Sequence, residues 1–211
     1  MQDSVQLLTL LRWGLAALID AARRLKLHEG ELQEWEDVLE NLAPYSTDPK
    51  IGLLRPTPCF HPSDYMCSIY PLHLLSIHNP KEQALINTTL DYWLEHSKKI
   101  PLWDREGGGW RLTHGAACLA AAGRGETALK LLHKFIKVRM TPNTMYREGD
   151  SPTVETPISG CAALYEMLMQ SWGGICEYFP QLPELGRNVH SKTCGPRALF
   201  LSAPSAGKVK L

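Results

Sequence analysis

The residues best placed to do chemistry lie between Thr141 and Pro183, where two stretches of opposite character meet. The first, Thr141 to Pro157, is crowded with turn formers (Pro142, Asn143, Gly149, Asp150, Pro152, Pro157) and also carries Tyr146, Arg147, Glu148 and Glu155. The second, Ile158 to Ser171, has helical composition and is ended by Gly173-Gly174. A loop immediately ahead of a buried helix can aim a carboxylate into a cavity, which makes Glu155 the candidate catalytic carboxylate. The same residues permit a plainer arrangement. Thr156 or Ser159 would cap the helix, and Glu155 would only favour the positive end of its dipole.

Other chemistries find little support. The six cysteines (Cys59, Cys67, Cys118, Cys161, Cys176, Cys194) form no C-x-x-C pair and have no histidine at zinc-ligand spacing, so no metal site is expected. Cys118 and Cys161 sit among Ala and Leu, as small buried apolar residues do. The glycines at 107–109 and 123–125 do not follow a strand, so a phosphate-binding loop and a nucleotide cofactor are not expected. Lys plus Arg (22) equals Asp plus Glu (22), for a formal net charge of zero. With no basic block or stripe, nucleic acid and anionic membrane surfaces are not expected partners. The most apolar run, Leu7 to Ile19, is broken by Arg12 and followed by Arg23-Arg24, which argues against a membrane span. The N-terminus lacks the basic, apolar and small-residue order of a secretory signal, and no compartment follows from it.

The elements that must position Glu155 are helical. Apolar residues at Val5, Leu8, Leu11, Leu15, Leu18, Ile19, Ala22 and Leu25 predict a helix over 4–27, and Leu32, Trp35, Val38, Leu39 and Leu42 a second over 31–42. The proline-rich stretch 46–62 reads as a functional loop or covering flap. A helical pattern over 64–77 carries Pro71, which forces a kink or restart. Further helices are predicted over 81–97, 110–122, 126–138 and 158–171. The short turns between neighbours make antiparallel pairs. Alternation over 175–179, 198–202 and 208–211 predicts strands in the tail.

These motifs resemble the catalytic region of glycoside hydrolase family 95, the α-L-fucosidases and α-L-galactosidases. The likeness is carried by Asn143-Thr144-Met145-Tyr146, by Val154-Glu155-Thr156-Pro157, and by the run from Glu166 through Met167-Leu168-Met169-Gln170-Ser171-Trp172 to Gly174. Phe179-Pro180-Gln181-Leu182-Pro183 continues it, and Tyr70-Pro71-Leu72, Trp110 and Gly123-Arg124-Gly125-Glu126 fall in matching order upstream. The resemblance implies a mainly α fold in which antiparallel helix pairs build part of an (α/α)6 barrel. Residues 1–172 would belong to that partial barrel, and 173–211 would begin a small C-terminal β-rich domain.

It also implies inverting hydrolysis of terminal α-L-fucosyl or α-L-galactosyl groups, with a fucosylated or L-galactosylated glycan as partner and no metal or cofactor. Glu155 matches the carboxylate that polarises the family's water-holding asparagines, although the usual residue is Asp. His61, Trp110, His114 and Tyr146 would line the sugar pocket. Each has a plainer alternative: a structural histidine between prolines for His61, helix-packing residues for Trp110 and His114, and loop scaffolding for Tyr146. The family's histidine motif survives here only as His61. The family's general acid and asparagines lie ahead of the region matched by Met1, so if these residues were the whole protein the barrel would be about half built and unable to assemble an inverting pair. The contrasting expectations are a helical remnant or scaffold that has lost the chemistry, or a generic helix-pair interaction domain.

Overall fold

A computed structural model of the chain describes residues 4–53, 66–97, 109–143, 145–148, 151–172, 175–178 and 208–210. Six α-helices occur among the described residues, and the protein is mainly helical. They are α1 (Val5–Leu25), α2 (Leu32–Glu40), α3 (Pro80–Ser97), α4 (Gly109–Ala121), α5 (Gly125–Arg139) and α6 (Glu155–Leu168).

Local chemistry explains where these helices start and stop. Lys26 adopts the left-handed conformation (φ 54°) and turns its N–H back to the Ala22 carbonyl, ending α1. Asn79 precedes Pro80 and accepts the Lys81 N–H at 3.2 Å, while Glu82 receives the Ser76 N–H at 2.7 Å. Together they cap α3, and Pro80 stands at the first position, where its missing N–H costs nothing. Pro157 is tolerated within α6 because it falls in the first turn.

Helix α4 is the centre of the core. Leu112, Ala116, Ala117, Cys118, Leu119 and Ala120 are all inaccessible to solvent, and α4 packs against both α5 and α6. Its small residues permit this close approach. Gly115 faces the ring of Trp93 on α3 so tightly that a Cβ there would overlap the indole. On the far side, Gly160 of α6 meets Thr113, with a virtual Cβ 3.4 Å from the threonine methyl. Helices α1 and α2 pack on each other, and Arg12 fixes the chain beyond them by donating to the Leu42 and Ala43 carbonyls.

The strands are short and antiparallel. β1 (Thr47–Asp48) pairs with β2 (Gly52–Leu53), and β3 (Tyr146–Glu148) pairs with β4 (Ser151–Thr153). β5 (Met169–Trp172), β6 (Ile175–Tyr178) and β7 (Lys208–Lys210) form a three-stranded sheet with β6 in the middle. Gly52 (φ 82°) packs directly on Thr89 of α3, whose Oγ1 accepts the Leu53 N–H at 3.0 Å. A side chain at 52 would collide with that backbone.

Four differences from the sequence reading stand out. The last long helix ends at Leu168, not Ser171, because Met169 to Trp172 leave it to pair with β6. The β5–β6 hairpin therefore draws on both sides of residue 173, where the β-rich region was expected to begin. Residues 66–72 form hydrogen-bonded turns rather than a kinked helix, with a cis Tyr70–Pro71 bond. Helix α1 is long and apolar enough to cross a membrane by length and composition, with Arg12 turned onto the 42–43 carbonyls. The strand expected over 198–202 lies outside the described residues.

Two apolar surfaces remain uncovered among the described residues. On α1, Leu7, Leu11, Leu18 and Leu25 follow one another along one side and are exposed. On α6, Val154, Ile158, Tyr165 and Leu168 do the same opposite the face that packs on α4. Helical periodicity generates both stripes.

Candidate functional site

Along α4 nearly every described side chain is buried; Trp110 and His114, one turn apart, are the half-exposed ones before its end. Their rings lie 26° from parallel with centroids 6.4 Å apart. His114 Nε2 stands 3.0 Å from the Tyr70 carbonyl oxygen. A carbonyl only accepts, so the imidazole carries its proton on Nε2. One turn further along α4, Cys118 Sγ lies 3.6 Å from the same nitrogen. The turns of 66–72 thus seat on α4 through the backbone of Tyr70, whose ring lies 6.2 Å from that of His114.

Tyr70 leads to a second group of rings. His73 meets it edge-on at 5.6 Å and then stacks on Trp172 of β5, centroids 4.7 Å apart and planes 9° from parallel. His73 Nε2 is 3.7 Å from Glu166 Oε1 of α6, with both side chains about 15% exposed or less. His78 lies 5.5 Å from the same indole, tilted by 39°, and 3.7 Å from Glu177 Oε2 of β6. The two ring groups form one aromatic–imidazole wall, with Glu166 as its inner carboxylate.

Gln170 locks this wall in place. Its amide donates to the Ala120 carbonyl of α4 and the Glu166 carbonyl of α6, each at 3.0 Å. The end of α6, the start of β5 and the end of α4 are therefore tied at one side chain. Burial raises the Tyr70 phenol pKa, and the Glu166 carboxylate and Cys118 add to the shift. Burial likewise pushes the Cys118 thiol far up, with Cys67 nearby reinforcing it, so this sulfur is a neutral packing group and not a nucleophile.

The residues expected from sequence take different positions. Trp110 and His114 come together as above. Tyr146 is completely buried, its ring 5.7 Å from Phe135 and against Gly109, so it belongs to the core between α4 and α5 and not to an open pocket wall. Glu155 is exposed as the first residue of α6, and its Oε2 accepts the Val154 N–H at 3.2 Å. That matches the dipole-favouring arrangement, although neither Thr156 nor Ser159 caps the helix: Val154 occupies the cap position and Thr156 is buried. His61 lies outside the described residues.

Sequence reading passed over His73, Glu166 and Trp172 as site residues. Glu166 and Trp172 stood inside the run from Glu166 to Gly174 that carries the resemblance, but spacing alone did not show that β5 would turn Trp172 back onto His73. Among the described residues no group of three or more His, Cys, Asp or Glu side chains could hold a metal ion. The sequence matches no protein-family model and no curated protein.

Proposed function

We propose that this chain is part of the helical region of a glycoside hydrolase resembling family 95, binding terminal α-L-fucosyl or α-L-galactosyl groups. The observation that carries the reading is the wall formed by Trp110, His114 and Tyr70. A flat ring offers an apolar platform to the C–H face of a pyranose, while imidazole and backbone groups supply directional hydrogen bonds. The exposed stripes on α1 and α6 also support an (α/α)6 ring, because further helices of such a ring would cover surfaces of this kind.

Glu155 keeps its proposed role of orienting the attacking water, with one geometric constraint. It lies eleven residues before Glu166 on the same helix, which is about three turns and roughly 16 Å at 1.5 Å per residue. Inverting pairs work across roughly 6.5–9.5 Å, so these two carboxylates do not form one. A general acid for Glu155 must come from elsewhere.

A titration of the full chain with methyl α-L-fucopyranoside, followed at the Trp110 indole resonance, tests the binding reading. Saturable movement that weakens in His114→Ala supports it; a static resonance at high ligand concentration removes it. A second reading, a helical scaffold without chemistry, is favoured by the exposure of Glu155. In an assembly that hydrolyses an aryl α-L-fucoside, Glu155→Gln would slow turnover by about 10²–10⁴ on the enzyme reading and leave it unchanged on the scaffold reading.

A further inference from the structure

We infer that His73, Glu166 and Trp172 form a binding subsite for a neutral polyhydroxylated ligand, a pyranoside, adjoining the Trp110–His114 wall. This deepens the sugar-binding reading and rests on it only for the identity of the sugar. Three polar atoms carry the inference. Glu166 Oε2, His73 Nδ1 and Trp172 Nε1 are each buried, and none has a hydrogen-bond partner among the described residues. Buried polar atoms are paired in the great majority of cases, and leaving one unpaired is costly. Three in one cluster, joined by the 4.7 Å ring stack and the 3.7 Å imidazole–carboxylate approach, mark a place that expects a partner.

The chemistry of the three atoms selects the ligand. A carboxylate oxygen accepts and an indole N–H donates, while the imidazole nitrogen does either according to its tautomer. A vicinal diol presents both a donor and an acceptor at such a set, and its C–H face suits the adjoining rings of Tyr70 and Trp172. An anion would be repelled by Glu166. A quaternary ammonium such as choline would suit the rings and the carboxylate, but its single hydroxyl could not serve the indole N–H and the imidazole nitrogen together.

The backbone supports the same assignment. His73 is held at φ 46°, a left-handed conformation uncommon outside glycine, and its ring meets Tyr70 edge-on and stacks on Trp172. Such conformations concentrate at ligand sites, where surrounding structure over-determines them. Gln170 anchors the carbonyl of Glu166 itself, so the carboxylate is presented from a fixed turn.

The test uses the full chain and three probes: methyl α-L-fucopyranoside, methyl β-D-glucopyranoside and choline. The readout is the Trp172 indole N–H resonance, assigned with Trp172→Phe. The expected result is saturable movement with at least one pyranoside and none with choline, with the affinity falling roughly 10- to 100-fold in Glu166→Gln, as for loss of a charge-assisted hydrogen bond. His73→Asn is titrated alongside and should also weaken binding, which keeps the test decisive if Glu166→Gln fails to fold. A glucoside that moves Trp172, with a fucoside that moves neither Trp172 nor Trp110, sinks the fucosidase-like reading and leaves the subsite standing. No movement with either pyranoside, binding of choline alone, or affinity unchanged in the folded variants overturns the subsite.

Discussion

The imidazole of His73 lies flat on the indole of Trp172, one from a turn that follows a cis proline and the other from a strand that leaves the longest motif of the chain. Trp172 also touches His78, so a single ring joins residues 73 and 78 to the β5–β6 hairpin. Trp172→Ala is expected to destabilise the fold by about 1–3 kcal/mol, below the cost of a fully buried tryptophan because this one is half-exposed. Trp172→Phe keeps a stacking ring and should cost less than about 1.5 kcal/mol. Urea denaturation separates the two; equal losses would show that stacking contributes nothing.

A second expectation concerns Gln170. Its amide serves two carbonyls, one of them on the wholly buried Ala120, and the side chain is 3% exposed. The Ala120 carbonyl also accepts the Gly123 N–H at 3.1 Å, so Gln170→Ala removes one of its two donors together with the tie to Glu166 and should cost about 0.5–1.5 kcal/mol. A stability change within about 0.5 kcal/mol would mean that this tie does not hold the hairpin to α4.

Close packing of α4 gives a third. A methyl group at Gly115 enters the space of the Trp93 ring, which is itself wholly buried. Gly115→Ala gains helix propensity of up to about 1 kcal/mol, yet overpacking should outweigh it and leave a net loss of about 1–2 kcal/mol. Gly14 of α1 has open space at the same position and is the control: Gly14→Ala should stabilise by roughly 0.5–1 kcal/mol. Thermal melts of both variants check the pair, and a stabilising Gly115→Ala would contradict the packing.

The pH dependence follows from two raised values. Cys118 and Tyr70 titrate above their ordinary 9.0 and 10.0 in the folded chain, mainly through burial. Unfolding therefore lets each lose its proton at lower pH than folding does. Their contribution is fully present below about pH 9 and is lost as pH rises further. The urea midpoint should accordingly fall between pH 8 and pH 10.5, and Cys118→Ala should flatten the first part of that fall. A midpoint that rises over this range would be the wrong sign. At pH 8 the exposed Cys161 should react with a maleimide at once, while Cys118 reacts only on unfolding.

Much of the helical plan was legible because apolar spacing is set by the same burial that builds the core. Val5, Leu8, Ile19 and Ala22 mark the buried side of α1, and Ala128, Leu131, Leu132 and Phe135 that of α5. Met169 to Ser171 escaped because Met and Gln favour helix, and only pairing with a strand yet to come overrides that preference. Asp64 to Ile77 misled through its spacing, since turns closed by Met66, Cys67 and Ser68 carbonyls replaced the helix around Pro71. The Trp110–His114 pair could be read as neighbours on one helix face. The His73–Glu166–Trp172 group could not, because residues more than ninety positions apart meet there only through tertiary packing.

The bond from Gln170 to Ala120 has a dynamic corollary. A hairpin fastened at its root to the most protected helix cannot fray from its own end alone. The amides that pair β5 with β6 should consequently share an opening event with the last turns of α4 and α6, and exchange their hydrogens as one slow unit rather than as a loose peripheral flap.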